Sequence, residues 1–191
     1  ALTFNVVRGE EYIPQILDTL KRNEVTATFF IGGQWAEDFP VLTGRIAQAG
    51  HEIGNHGYSH PHPDKLSLSA NIDEIKKTDE VLFRLTGFKP SLFAPPYGER
   101  GDVVLKAAKE AGYRTILWSI DTIDWQRPDP SIITRRVTEK IHNGAIILMH
   151  PTAPTVKALP QIILELKNMG YEMVSVSTLL QGLQTGAGNH N

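Results

Sequence analysis

The chain has 191 residues, of which 41% are hydrophobic and 21% are charged, and a formal net charge of −2. This balance is typical of a soluble globular protein with a single core, and it argues against a disordered chain. The small net charge and the lack of any basic run longer than two residues argue against nucleic-acid binding. Without cysteine there are no disulfides or thiolate metal sites, and no apolar stretch approaches the roughly 20 residues that span a bilayer.

Short apolar runs alternate with longer amphipathic stretches along the chain. The predicted strands are residues 2–7, 26–31, 52–56, 91–94, 114–119, 145–150 and 172–176. The predicted helices are residues 10–23, 36–49, 69–86, 102–111, 130–142 and 155–169. Apolar residues recur at helical spacing within the helices, and glycines follow most of them, where a helix commonly ends.

This alternation predicts an α/β fold, with parallel strands joined by right-handed crossovers. Seven predicted strands in so short a chain fit a closed or nearly closed barrel, and an open doubly wound sheet is the alternative. We expect one domain over residues 1–180 and a frayed Gly-, Asn- and Gln-rich tail over residues 181–191. In either architecture, functional residues should lie at the carboxyl ends of the strands.

Side chains that can carry chemistry follow most of the predicted strands. They are Asn5 after the first strand, His56, His60 and His62 after the third, Pro96 and Tyr97 after the fourth, Asp121 and Asp124 after the fifth, and His150 after the sixth. Because the carboxyl ends of parallel strands share one edge of a sheet, we expect these residues to meet there.

His56 and His60 are four residues apart in a stretch rich in Gly, Ser, Asn and Pro. Imidazole is the commonest protein ligand of zinc-like metals, and two histidines at this spacing can reach one ion from a loop. The alternative is a pair of surface histidines in a polar loop. His62, which stands between two prolines, is expected to be exposed. The remaining histidines are expected to be structural or solvent-facing, namely His51, His142 and His190.

His150 follows the apolar run of the sixth predicted strand. An imidazole there can act as a general acid or base because its pKa lies near neutrality, and a carboxylate at Asp124 could orient it. The alternatives are a buried histidine bonded to a carbonyl and an aspartate that caps a turn. Trp125 would add an apolar wall beside the pair, or else pack in the core.

The segments that carry these residues match one family in order. They are ALTFNVV, TATFFIGG, HEIGNHGYSH, LFAPPYG, WSIDTIDW and IILMH. From Ala1 to about Leu180, the chain resembles the polysaccharide deacetylases of the NodB-homology type, carbohydrate esterase family 4. The resemblance implies a distorted (β/α)7 barrel with a metal-dependent N-deacetylase site, in which the metal polarises the acetamide carbonyl and its bound water.

The resemblance also implies a role for each matching residue. In the family, the first motif reads T-F-D-D-G, where the first Asp is the general base and the second is a metal ligand. His56 and His60 match the two metal histidines, and His150 matches the acid that protonates the leaving amine. Asp124 matches the carboxylate that tunes this acid, with Asp121 as the weaker candidate. The residues that match the substrate groove and the acetyl pocket are Pro96, Tyr97, Trp125 and Leu148.

Three positions depart from the family pattern. Asn5 stands where the base should be, Val6 where the metal carboxylate should be, and Ala94 where the base-orienting arginine should be. A subgroup of the family has an apolar residue at the second Asp, so Val6 alone need not abolish activity. Asn5 matters more, because an amide has no useful basicity near pH 7. The joint loss of the aspartate that acts as the general base and of the arginine that orients it indicates relaxed catalysis.

The resemblance therefore predicts a metal-dependent hydrolase of N-acetyl groups on peptidoglycan or chitin-type glycans, with weak or no activity. The alternative is a non-catalytic glycan-binding pseudoenzyme, and a weaker one is hydrolysis of O-acetyl groups or small amides. The expected cofactor is a divalent metal, zinc first, held with weak or partial occupancy because a neutral amide compensates little charge.

The expected partner is an N-acetylglucosamine-containing polysaccharide, and no nucleic acid. The resemblance implies a monomer in the Gram-positive cell envelope or outside the cell. The chain begins within a predicted strand. We therefore expect a natural segment before it, which could hold a membrane anchor.

Overall fold

The structure is a computed structural model that describes residues 1–186, with side chains to residue 182. The strands are β1 (Leu2–Val6), β2 (Thr28–Ile31), β3 (Glu52–Asn55), β4 (Leu92–Phe93), β5 (Arg114–Thr115), β6 (Ile120–Asp121) and β7 (Ile147–Met149). The α-helices are α1 (Ile13–Arg22), α2 (Gly33–Asp38), α3 (Pro40–Gln48), α4 (Leu68–Thr86), α5 (Asp102–Glu110), α6 (Pro130–Thr138), α7 (Ala153–Asn168) and α8 (Val176–Gly186).

The strands form a seven-stranded sheet in the order β5-β4-β3-β2-β1-β7-β6. Strand β1 pairs with β7 in parallel, with Leu2 opposite Ile147 and Phe4 opposite Met149. The pairs β3–β4, β4–β5 and β6–β7 are parallel as well. Parallel pairing confirms the α/β prediction, because such strands need crossover connections and here the connections contain helices.

The residues group into two compact units. The first contains residues 1–4, residues 11–28 and the described residues from 118 onward, and the second contains residues 5–10 and 29–117. In the first unit, the buried side chains include Leu2 and Phe4 of β1 and Leu159 and Ile162 of α7. The second unit has a buried cluster in which residues of α4, β4 and α5 pack together with Tyr113, which precedes β5. Its other members are Ile75, Phe93, Val104, Ala107 and Ala108.

Local chemistry sets the helix boundaries near the predicted ones. Helix α4 begins where the Ser67 side chain accepts a hydrogen bond from the Ala70 N–H, and it ends at Gly87, which has a φ of 74°. Serine is a favoured N-cap, and glycine adopts this left-handed conformation without a Cβ clash. The helix predicted over residues 36–49 is instead divided between α2 and α3. Pro40 explains the break, because the residue before a proline avoids the helical conformation and Phe39 has φ −127° and ψ 58°.

Two strand predictions were wrong. The strand predicted over residues 114–119 is divided into β5 and β6, and no strand covers residues 172–176. Met173 and Val174 instead line a cavity of about 360 Å³ in the first unit, and α8 begins at Val176. A short apolar run does not by itself distinguish a paired strand from a packed loop.

Helix α8 covers the start of the tail that was predicted to be frayed. Residues 187–191, including His190, lie outside the described residues.

Among the described residues, no helix is both long enough and apolar enough to cross a membrane.

Candidate active site

His150 and Asp124 form a close pair in the first unit. His150 follows β7, and its Nδ1 lies 2.7 Å from Oδ1 of Asp124. The backbone N–H of His150 donates to the other carboxylate oxygen, Oδ2, at 2.6 Å. Asp124 has no exposed surface, whereas His150 is partly exposed. The carboxylate of Asp121 accepts a hydrogen bond from the Ile123 N–H at 2.8 Å.

This geometry sets the chemistry that the imidazole can perform. An ionised carboxylate only accepts hydrogen bonds, so Nδ1 of His150 carries a proton and Nε2 is the nitrogen that can gain or lose one. A histidine held in this way can act as a general acid once it is protonated at Nε2.

A third residue that sequence reasoning missed also contacts Asp124. The Thr155 hydroxyl donates to Oδ2 of Asp124 at 2.6 Å, and both residues are fully buried. Thr155 lies in the first turn of α7, where the Thr152 side chain caps the helix. The threonines at positions 152 and 155 are a recognisable helix-start signal, but nothing in the sequence links them to position 124.

The turn around Asp124 is strained and presents Trp125 to solvent. Ile123 and Arg127 have φ values of 53° and 54°, a left-handed conformation that a β-branched residue such as isoleucine rarely adopts. Trp125 is 58% exposed, which excludes the alternative that it packs in the core. Leu148, the other predicted pocket wall, is buried in β7.

In the second unit, two imidazoles lie side by side. Nδ1 of His56 is 2.6 Å from the carbonyl oxygen of Ala94, and the ring centroids of His56 and His60 are 5.0 Å apart. A histidine that donates one ring N–H to a backbone carbonyl presents its other nitrogen as a ligand, an arrangement common at metal sites. Asn5 and Val6 stand at the end of β1 and are buried.

Tyr97 lies between two histidines of the same unit. Its ring centroid is 4.7 Å from that of His60 and 4.0 Å from that of His62, which stacks on it at 10°. Tyr97 is 55% exposed, and its φ is 58°. His62 is exposed, as the sequence indicates, but its contact with Tyr97 was missed. Pro96, the other residue predicted to line the substrate groove, is buried.

Glu99 holds His62 in this position. Its carboxylate lies 2.7 Å from Nδ1 of His62 and accepts a hydrogen bond from the backbone N–H of Asp64. The hydrogen bond with His62 holds the pKa of the Glu99 carboxyl below its ordinary value. The His62 ring is therefore held by Glu99 at its Nδ1 atom and by Tyr97 at its face.

These residues match a divalent metal only in part. Over the residues described, no group of three or more His, Cys, Asp or Glu side chains could hold an ion. His56 and His60 supply two imidazoles, but Val6 offers no ligand atom and the amide of Asn5 offers only a neutral oxygen. A protein zinc site normally has at least three protein ligands, so this donor set is incomplete.

The family model for polysaccharide deacetylases matches residues 1–116. The chain is 41% identical over 186 residues to a peptidoglycan-N-acetylglucosamine deacetylase of Bacillus cereus, covering 95% of this chain and 68% of the relative. It is 43% identical over 180 residues to the uncharacterized protein YlxY of Bacillus subtilis, covering 94% of this chain. The chain spans 56% of the length of YlxY, about half.

A solved structure of a carbohydrate esterase family 4 pseudoenzyme from Bacillus anthracis is also similar, with a TM-score of 0.92 and 43% identity. The match covers 94% of this chain and 64% of that one. A mutant of that pseudoenzyme with restored enzymatic activity has a TM-score of 0.92 at 42% identity, covering 94% of this chain and 66% of that one.

These matches confirm both the fold class, a distorted (β/α)7 barrel of the NodB-homology type, and the resemblance carried by the sequence motifs. The chain belongs to the polysaccharide deacetylase family, carbohydrate esterase family 4.

Proposed function

We propose that this chain is a silenced polysaccharide deacetylase domain that binds N-acetylglucosamine-containing cell-wall glycan and releases acetate from it at a strongly reduced rate. The observation that carries the proposal is the end of β1, where Asn5 and Val6 are buried in place of the two aspartates of the family motif.

The replacement at position 5 removes the base. The Asn5 amide cannot accept a proton from water near pH 7, and loss of a general base typically costs ~10²–10⁴-fold in rate. The replacement at position 6 removes a negative charge that would offset a bound cation. His56 and His60 would therefore hold a divalent metal, zinc first, with weak or partial occupancy.

Other residues expected to serve the reaction and the substrate are retained. In the proposal His150 is the general acid, protonated at Nε2, and it delivers that proton to the leaving amine while Asp124 stabilises the imidazolium. Trp125 and Tyr97, each exposed in its own unit, offer aromatic faces of the kind that pack against the apolar face of a sugar ring. Pro96 in the second unit and Leu148 in the first are proposed as further substrate-binding residues, each within its own unit.

The second candidate is glycan binding without turnover. Similarity to a pseudoenzyme of the same family supports this alternative, and so does the retention of exposed aromatic residues while the base is lost. A binder would tether the protein to glycan or regulate active relatives.

The cellular setting is proposed from the relatives. Those named peptidoglycan deacetylases come from Gram-positive bacteria, so we place this chain in the cell envelope or outside the cell. Its glycan partner and monomeric state are parts of the same proposal.

Acetate release from N-acetylated glycan oligomers, with added zinc or cobalt, tests the proposal. The natural chain is compared with Asn5→Asp, which restores a carboxylate, and with Asn5→Ala, which does not. We expect Asn5→Asp to be ~10²–10⁴-fold faster than the other two, the usual contribution of a general base.

Replacing His150 by alanine in the Asn5→Asp background should remove the gain. A natural chain that turns over as fast as Asn5→Asp would overturn the proposal of silencing. Absence of acetate release from every variant, together with saturable binding of the oligomer, would select the second candidate.

A further inference from the structure

The carboxylate of Asp124 is held by more than its histidine. Three hydrogen bonds reach it, from the ring and the backbone N–H of His150 and from the hydroxyl of Thr155. A buried carboxylate needs such donors, because an ionised group without them is costly in a dry interior. Two of these bonds end on Oδ2, which leaves Oδ1 directed at the imidazole.

The Thr155 hydroxyl has a defined direction. Its oxygen also lies 2.7 Å from Oγ1 of Thr152. Because the ionised carboxylate can only accept, the Thr155 proton goes to Asp124, and the Thr152 hydroxyl must donate to Thr155. The Thr152 oxygen in turn accepts from the Thr155 backbone N–H at 3.3 Å. The first turn of α7 thus aims one hydroxyl at the carboxylate.

The start of α7 suits this task in a second way. Backbone N–H groups at a helix N-terminus create a partial positive charge that favours a nearby anion. Asp124 itself lies on the strained turn between Ile123 and Arg127. The Thr155 hydroxyl is a second donor to Oδ2 of this carboxylate, beside the backbone N–H of His150.

We propose that Thr155 is a positioning residue that acts through Asp124: its hydroxyl fixes Oδ2, and Oδ1 is thereby held toward Nδ1 of His150. The consequence is a single tautomer of the neutral imidazole, with the proton on Nδ1. The use of that imidazole as an acid rests on the proposed function, but its tautomer can be measured without turnover, so the two ideas can fail separately.

The test is nitrogen-15 NMR of the His150 ring in the natural chain, Thr155→Val, Thr155→Ser and a matched control, Thr3→Val. Valine keeps the shape of threonine and removes the hydroxyl, whereas serine keeps the hydroxyl. Thr3 is also buried, and its hydroxyl bonds the Ile147 carbonyl at 2.8 Å, so Thr3→Val loses a comparable bond that does not involve Asp124.

We expect the natural chain, Thr155→Ser and Thr3→Val to show the Nδ1–H tautomer and a downfield Nδ1 proton. Thr155→Val should lose that proton signal and gain the Nε2–H form. Retention of the natural tautomer in Thr155→Val would overturn the proposal, and so would equal loss in Thr3→Val. Thr155→Ala removes the same hydroxyl with less bulk and replaces the valine variant if that chain does not fold.

Discussion

At the scale of single residues, loss of a side chain need not mean loss of a backbone contact. Ala94 stands where the family motif has an arginine, and its backbone carbonyl oxygen lies 2.6 Å from Nδ1 of His56. The contact with His56 is thus made by the backbone of residue 94 and not by its side chain. A buried arginine whose carboxylate partner had become Asn5 would be an uncompensated charge, which gives a physical reason for alanine there.

His51 makes the stability of the chain depend on pH. Burial lowers its pKa from the ordinary 6.5 to about 4, so between these values the unfolded chain binds a proton that the folded chain does not. The part of the stability that depends on a neutral His51 is therefore fully present above pH 6.5 and is lost progressively as the pH falls toward 4. Urea unfolding of the natural chain and of His51→Gln is measured at about pH 7.5, 5.5 and 4.5, which lie above and within this window. The free energy of unfolding should decline less for the variant than for the natural chain.

His142→Gln, the same substitution at an exposed histidine, is the matched control. An undiminished decline in His51→Gln would assign the pH dependence to other groups.

At the scale of elements, Pro160 works against the helix that contains it. It lies inside α7 and is exposed. A proline there has no N–H for the helical hydrogen bond and costs about 3 kcal/mol relative to alanine in a helix interior. We expect Pro160→Ala to raise the free energy of unfolding by ~1–3 kcal/mol. The gain can be smaller than the full helical cost of proline, because proline also restricts the unfolded chain and alanine loses that benefit.

Pro154 is the matched control because it lies in the first turn of the same helix, where a missing N–H costs nothing. Pro154→Ala should give no gain in denaturant unfolding. A loss of stability in Pro160→Ala would mean that α7 needs the proline for its packing.

Elements were predictable from sequence where the signal is local. Helix α4 could be located from its apolar spacing and from Gly87 at its end. Strands β5 and β6, of two residues each, are too short to carry a period, and their limits depend on the neighbouring strand.

The residues of the candidate site also differ in how far the sequence could predict them. His56 and His150 could be proposed because they follow apolar strands and match motifs. Thr155 and Glu99 could not, because each acts through a residue more than 30 positions away. Only the folded chain places them there.

At the scale of the whole molecule, zinc should stabilise the natural chain only slightly. A ligand that binds only the folded state at about 100 times its Kd adds about 2.7 kcal/mol, but two imidazoles and a neutral amide should give a high Kd. Val6→Asp supplies the missing carboxylate. Without metal we expect this variant to have a lower Tm because its carboxylate is buried, and with zinc to show a larger rise in Tm than the natural chain.

Differential scanning calorimetry with and without zinc measures both effects. Adding His60→Gln to Val6→Asp should abolish the rise. A stoichiometric zinc that stays with the natural chain through dialysis against a chelator would show that the carboxylate is not needed.

The pairing of β1 with β7 has a consequence for how the chain is made. Leu2 lies opposite Ile147, so β1 can meet this partner only after the residues between them have left the ribosome. Contacts between residues so distant in sequence close slowly. The second unit is almost continuous over residues 29–117. Its contacts can therefore form without residues from a distant part of the chain. Nascent chains that stop before residue 147 carry β1 without this neighbour, and an unpaired strand edge is prone to aggregation.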